Sequence, residues 1–400
     1  MIILQHSCKK MCHSIKSSLP DFIRSILLPS AFSFWLTNTV VEQQTCNDEI
    51  IMAIKGKWAK RPDANMKAGN QVQITSRIDK MQQLLQAAYP DPKGIEAAWY
   101  RSMGGYNSSV NNNADSYVLN ALFKAYYCNT NVNKLLLGGE TGTWFYIWVN
   151  KFSWFVQTVD YFTINQQPVY LLTPKVGEFN GYPLYKGIHN ENSNTGIKYS
   201  RAIIITRDGQ SPYLPVTKKQ YLKAFLEYNE KKLPEELASL AKNTPVKTDE
   251  EEEAYKKLQL EKIDNSAIPN KEKAKDYFLK GYVTDKQRKE KWMADTKKRY
   301  EKEMKPVQDL LANSTEEDLQ QPAVVRLLDM TSFKGFSTDA QGGQQLVRLN
   351  PDYFDSKLPK YVPQFLIVYW RWDKGKAEEN FRNQLEGNFN FTALKQMIDK

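Results

Sequence analysis

The chain has 400 residues, of which 41% are hydrophobic, 25% charged and 12% aromatic, and its formal net charge is +10. That length supports a hydrophobic core in two or three domains, and the apolar content excludes a wholly disordered chain. Nineteen glycines exclude a collagen-like fibre, while four cysteines and three histidines are too few for a disulfide scaffold or a histidine-built metal site.

Residues 1–41 differ from the rest. Lys9, Lys10, Lys16 and Arg24 precede an apolar stretch over 25–41, the pattern of a secretory signal peptide. Ala31-Phe32-Ser33 places small residues where a signal peptidase cuts. The alternatives are an uncleaved anchor and an amphipathic helix of a cytosolic protein. The expectation is export: periplasmic, outer-membrane associated or secreted. No later segment has the length of a membrane-spanning helix, because the longest apolar run, over 365–370, is strand length. Export removes Cys8 and Cys12 and leaves Cys46 and Cys128, a pair that an oxidising compartment favours as a disulfide. The competing reading is two unrelated thiols, with Cys128 a buried core residue.

The second region, 42–217, opens with a helix over 72–88, where Ile74, Ile78, Met81, Leu84, Leu85 and Ala88 keep the helical period. Leu119, Leu122, Phe123 and Tyr126 predict another helix over 115–127. The period then changes to two, predicting strands over 144–149, 152–156, 161–164, 169–172, 182–185 and 201–207. Asn180-Gly181 and Asp208-Gly209 supply the left-handed residues of tight hairpins. Pro212 and Pro215 remove ladder donors and place their strand at an edge.

The third region, 218–305, carries 41 charged residues in 88. Thr217 and Gln220 form a capping box, with Val216 and Tyr221 as its hydrophobic staple, and Thr284 with Gln287 caps a later helix. Pro234, Pro245 and Pro269 divide the region into three or four helices with a thin apolar stripe, a charged arm or insertion. In the last region, 306–400, residues 346–349 and 365–372 read as strands, the second apolar enough to lie inside a sheet. A terminal helix is expected over 381–400. The fold class is α+β: an antiparallel meander with flanking helices and a charged helical insertion.

The charge follows these parts. Residues 1–41 hold +3 and residues 218–305 hold +5, leaving +2 for everything else. With no zinc-finger, RNP or helix-turn-helix spacing, the positive balance does not indicate nucleic acid.

Motifs for chemistry are sparse. Gly138-Gly139-Glu140-Thr141-Gly142-Thr143 has no lysine before its threonine and precedes an aromatic strand, so it reads as a turn and not a phosphate loop. His189 is the single histidine after the leader; a dyad with Cys128 requires an exposed thiol. No metal-ligand spacing exists, and no metal or cofactor is expected. Glu140, Asp160, Glu178 and Asp208 are carboxylates available for hydrolysis of a glycan or peptide, with their separations open. The least ordinary feature is nine aromatics in the 19 residues from Trp144 to Phe162. They serve either a doubly covered sheet core or a platform for a glycan or lipid, for which Trp144, Tyr146, Trp148 and Trp154 are the candidates.

The segment 200–222 (SRAIIITRDGQSPYLPVTKKQYL) resembles a phrase of uncharacterised exported proteins of Bacteroidota: a strand, a DG turn, a proline-bearing edge and a helix starting VT(K/R)KQYL. The WVNKFSWF stretch of 148–155 and residues 361–372 are similar too. The resemblance implies export and carries no activity. The expectation is therefore a binding or structural component of the cell envelope, its partner a glycan, lipid or envelope protein. The alternative is a carboxylate-dependent hydrolase acting on envelope glycan or peptide.

Overall fold

A computed structural model of the protein shows two sheets face to face, with helices on both outer sides. It describes residues 46–66, 69–103, 114–129, 131, 133–139, 142–151, 156–164, 167–187, 199–326 and 329–400, with the side chains of 156–162 outside that description. The described strands and helices are α+β, with mostly antiparallel pairing.

The larger sheet has the order β1 (Trp58–Lys60), β2 (Ile95–Met103), β3 (Tyr117–Asn129), β5 (Thr143–Val149), β14 (Leu366–Trp372), β10 (Tyr199–Ile205), β9 (Tyr182–Lys186), β8 (Lys175–Phe179), with β4 (Lys134–Leu137) added to the end of β3. Among the described strands of this sheet only β1 runs parallel to its neighbour. The smaller sheet has the order β11 (Tyr213–Pro215), β13 (Gln344–Leu349), β7 (Gln167–Leu172), β6 (Val156–Ile164), with β12 (Val324–Val325) against β13.

Strand alternation sorts the apolar residues into three cores. Phe145, Ile147 and Val149 of β5, with Val368 and Trp370 of β14, face α1 (Asp48–Ala53), α2 (Gln71–Ala88), α8 (Lys376–Asn388) and α9 (Phe391–Lys395). On the opposite face Tyr146, Ile367, Tyr369 and Ile204 meet Tyr170, Leu172, Val347 and Leu349 of the smaller sheet. The outer face of that sheet, with Val169, Leu171 and Leu346, is closed by α3 (Lys218–Asn243), α6 (Asp285–Asn313) and α7 (Glu316–Gln320). Burying one such aromatic side chain stabilises by roughly 1.5–3 kcal/mol, and Phe123 lies 3.9 Å from Phe381 between ring centroids at the centre of the helix-covered core.

Several expectations hold. The helix over 72–88 is α2. The apolar run at 365–372 is β14, buried between β5 and β10. Asn180 and Gly181, with φ of 50° and 78°, turn β8 into β9, and β11 with Pro215 is an edge strand. Cys46 and Cys128 lie at disulfide distance, with Cα atoms 5.6 Å apart, tying the start of α1 to β3. Closing a loop of 82 residues contributes about 4 kcal/mol in the chain-entropy model.

Other expectations fail for physical reasons. The helix over 115–127 is the strand β3. Its apolar residues satisfy a helical period only because the strand is covered on both faces, with Leu119, Ala121 and Phe123 on one side and Val118 and Leu122 on the other. Asp208-Gly209 does not close a hairpin; it follows β10 of the large sheet and leads to β11 of the small one, so the predicted meander is split between two sheets. Pro234 does not divide helices and lies inside α3, where the backbone stays helical. The terminal helix breaks into α8 and α9 because Asn390 restarts it as a cap, its side chain accepting the Ala393 N–H at 2.8 Å.

The charged region is an insertion. Thr217 bridges Pro322, and Ala323 N–H donates to the Val216 carbonyl at 2.8 Å, so the arm leaves and returns at one point. Between these lie α3, α4 (Asp249–Asp264), α5 (Lys271–Gly281) and α6. Cys46–Lys400 is one compact unit.

Candidate binding site

β5 positions the first candidates. Trp144, Tyr146 and Trp148 alternate with the core residues Phe145 and Ile147, so all three point to the face that meets the smaller sheet. Tyr146 is buried, and Trp144 and Trp148 are half-buried. Trp144 and Tyr146 stack with centroids 5.5 Å apart and planes 15° apart, and Tyr146 is 6.5 Å from Trp148. The broad faces of Trp144 and Tyr146 are thus turned to each other along the strand. Rings arranged this way stand as a wall whose electropositive edges point sideways.

Register places polar groups beside this wall. Trp144 pairs across with Leu122, Tyr146 with Asn120, and Trp148 with Val118 of β3. One strand further, β2 sets Ala98, Tyr100 and Ser102 opposite the same three residues. The inter-sheet core takes Val118 from β3 and none of its members from β2. On the same face Tyr100 and Ser102 are half-buried and Asn120 is 5% exposed. The Asn120 amide donates to the Ser102 hydroxyl at 2.8 Å, orienting both groups.

Cations flank the wall. The Arg371 guanidinium lies 5.0 Å from the Trp144 ring centroid, and the Lys151 ammonium lies 5.1 Å from that of Trp148. Burial lowers the Lys151 pKa below the usual lysine value. The Trp148 indole N–H is shut from solvent with no acceptor among the described residues. A donor left in that state costs free energy until an acceptor reaches it.

The other sequence candidates lie apart from this group or outside the described residues. Trp154, His189 and Glu140 are outside them, as is the side chain of Asp160. Glu178 on β8 is exposed and pairs with Lys175 at 3.2 Å, and Asp208 is an exposed partner of Lys395. The run beginning Gly138-Gly139 leads into the strand β5, which denies it the helix N-terminus that a phosphate loop uses. Among the described residues no group of three or more His, Cys, Asp or Glu is arranged to hold a metal. None of their helices is long and apolar enough to cross a membrane.

Sequence reasoning misses Asn120, Tyr100 and Ser102. A helix over 115–127 hides the pairing that sets them beside β5. The available signal is the polar character of Asn120 and Lys124 on one side of a period-two pattern whose other side is wholly apolar.

A second aromatic group lies on the arm. Tyr255, Tyr277, Phe278, Tyr282 and Val283, with Arg288, line a hollow of about 510 Å³ between α4, α5 and the start of α6. Comparison with protein families, with curated proteins and with solved structures finds no match.

Proposed function

We propose that this is an exported binding component of the cell envelope, and that the half-buried side chains of β2 and β5 on this face, Tyr100, Ser102, Trp144 and Trp148, meet an oxygen-rich ligand of the carbohydrate class. The observation that carries the reading is the register of Tyr100, Ser102 and Asn120 with half-buried Trp144 and Trp148 on either side of buried Tyr146. The hydroxyls of Tyr100 and Ser102 supply polar groups, while the half-buried rings of Trp144 and Trp148 supply apolar contact. Export is supported by the basic and apolar leader and by the Cys46–Cys128 pair. The hydrolase reading gains no support from Glu178 and Asp208, which are surface carboxylates in separate ion pairs.

Calorimetric titration of the full-length protein with envelope polysaccharides and their soluble fragments tests the proposal. Binding is expected to weaken about tenfold, or ~1.4 kcal/mol, in Tyr100→Ala and Trp144→Ala proteins that keep the native circular dichroism. Binding that survives both substitutions unchanged, or no binding to any glycan, sinks the reading.

A further inference from the structure

The arm exposes large apolar side chains that the fold itself does not bury. No residue of α5 is buried, and Glu252 is the single buried residue of α4. Tyr277 is 82% exposed, Leu279 51% and Trp292 45%. Helices at the end of an insertion gain nothing by exposing such side chains in water, and large exposed apolar side chains there are points of contact for a partner.

The charges on the same element indicate the occupant. Residues 244–284, the tip, carry eight basic and nine acidic side chains, five of the acids being consecutive from Asp249 to Glu253. Residues 285–305, the shaft part of α6, carry nine basic and five acidic ones. Lys291, Lys298 and Lys302 are exposed, and their spacing of seven and four places them on one helical face. The acidic run is fixed at the start of α6: Glu252 accepts the Asp285 N–H at 2.8 Å, and Lys247 pairs with Asp285 at 2.7 Å. Lys298 lies about 20 Å further along that helix. The acidic run is therefore held well short of Lys298 and Lys302 on its own shaft.

We propose that the arm is a self-association surface whose occupant is the arm of a second copy, lying antiparallel across a two-fold axis. In that arrangement the acidic run 249–253 and the aromatic side chains of each tip lie on the other copy's basic shaft, and the same contact forms twice. Two helical arms overlapping over some 20–25 Å bury less than a standard interface of roughly 800 Å² per partner, so the dimer is weak and electrostatic.

Analytical ultracentrifugation of the full-length protein, from about 1 to 100 μM, tests this directly. The expected result is a monomer–dimer equilibrium weakened at least fivefold in high salt and at least tenfold by Tyr277→Ser with Leu279→Ser. Two charge-reversed variants provide the specific check. One carries Asp249→Lys with Glu250→Lys, the other Lys298→Glu with Lys302→Glu. Each alone stays monomeric, whereas an equimolar mixture forms a heterodimer, because each reversed patch then meets its complement. A protein monomeric throughout the range overturns the proposal, as does a dimer indifferent to these substitutions. Tip-dependent binding to anionic lipid vesicles or to another protein by a monomer overturns it equally, by naming a different occupant.

Discussion

Arg207 joins the last residues of the protein to the junction of the two sheets. Its Nε and one terminal nitrogen each donate to the Asp399 carboxylate at 2.6 Å, and the latter nitrogen also donates to Gln364 Oε1 at 2.9 Å. Its other terminal nitrogen donates to the Tyr353 carbonyl, and its backbone N–H donates to the Tyr353 hydroxyl at 3.1 Å. That hydroxyl donates in turn to the Gln364 carbonyl at 2.5 Å. A bidentate guanidinium–carboxylate pair is among the stronger polar contacts, yet the Asp399 side chain is 36% exposed, so solvent screens it. Asp399→Ala is expected to lower the unfolding free energy by about 1 kcal/mol in urea titration, and by less in 1 M salt. An equal loss at both salt concentrations would place the effect in the backbone, where Asp399 holds a φ of 63°. None of this network is legible in the sequence. Its members are separated by up to 192 positions, and no local pattern links them.

At the scale of elements, what can be read is what is local. The capping boxes of Thr217 with Gln220 and Thr284 with Gln287 are present as expected, because both partners lie within one turn. Val216 and Tyr221 are both buried in the core beneath α3. β3 passes for a helix because periodicity cannot separate a helix from a strand covered on both faces. The arm's tip reads as solvated charge, while its organising contact is a single carboxylate. Glu252 accepts hydrogen bonds from the Tyr282 hydroxyl and the Asp285 N–H, and these hold its pKa below the usual glutamate value. On the other side, burial first and then the bond to Glu252 push the Tyr282 pKa up to about 12. A depressed carboxylate pKa contributes stability that is complete above 4.5, the ordinary value, and is lost as pH falls through the lower folded one. The aromatic signal of the tip in near-ultraviolet circular dichroism should therefore fade in acid below that range. Glu252→Gln is expected to show the loosened tip already at pH 7, with several-fold faster tryptic cleavage between Lys271 and Lys280. A variant cleaved at the wild-type rate would show that α4 and α5 are held by their apolar contacts instead.

For the whole molecule, the sequence indicates a body with a charged insertion, and the division of the body into two sheets is not visible in it. β7 and β10 look alike as apolar strands, and their assignment to different sheets depends on β13 and β14, more than 140 residues later. Those two strands return after the arm to enter the middle of one sheet each. The body is therefore complete only when the segment that follows the arm is in place, whereas the distal arm contributes no residue to the three cores. Its attachment is equally economical. Lys289 donates to the carbonyl of Thr244 at 3.2 Å and Lys247 pairs with Asp285 at 2.7 Å, so α3 ends where α6 begins. Replacing residues 245–283 by a short glycine-rich turn should leave α3 and α6 packed through Tyr300, whose hydroxyl donates to Glu236 at 2.9 Å. The shortened protein is expected to keep the Cys46–Cys128 bond and a thermal midpoint within about 3 °C of the full-length one, since surface changes outside a core shift stability by at most about 0.5 kcal/mol. A fall of 10 °C or more in that midpoint, followed by calorimetry, would mean that the tip braces the sheets, and the arm would then be a part of the body and not an appendage carried by it.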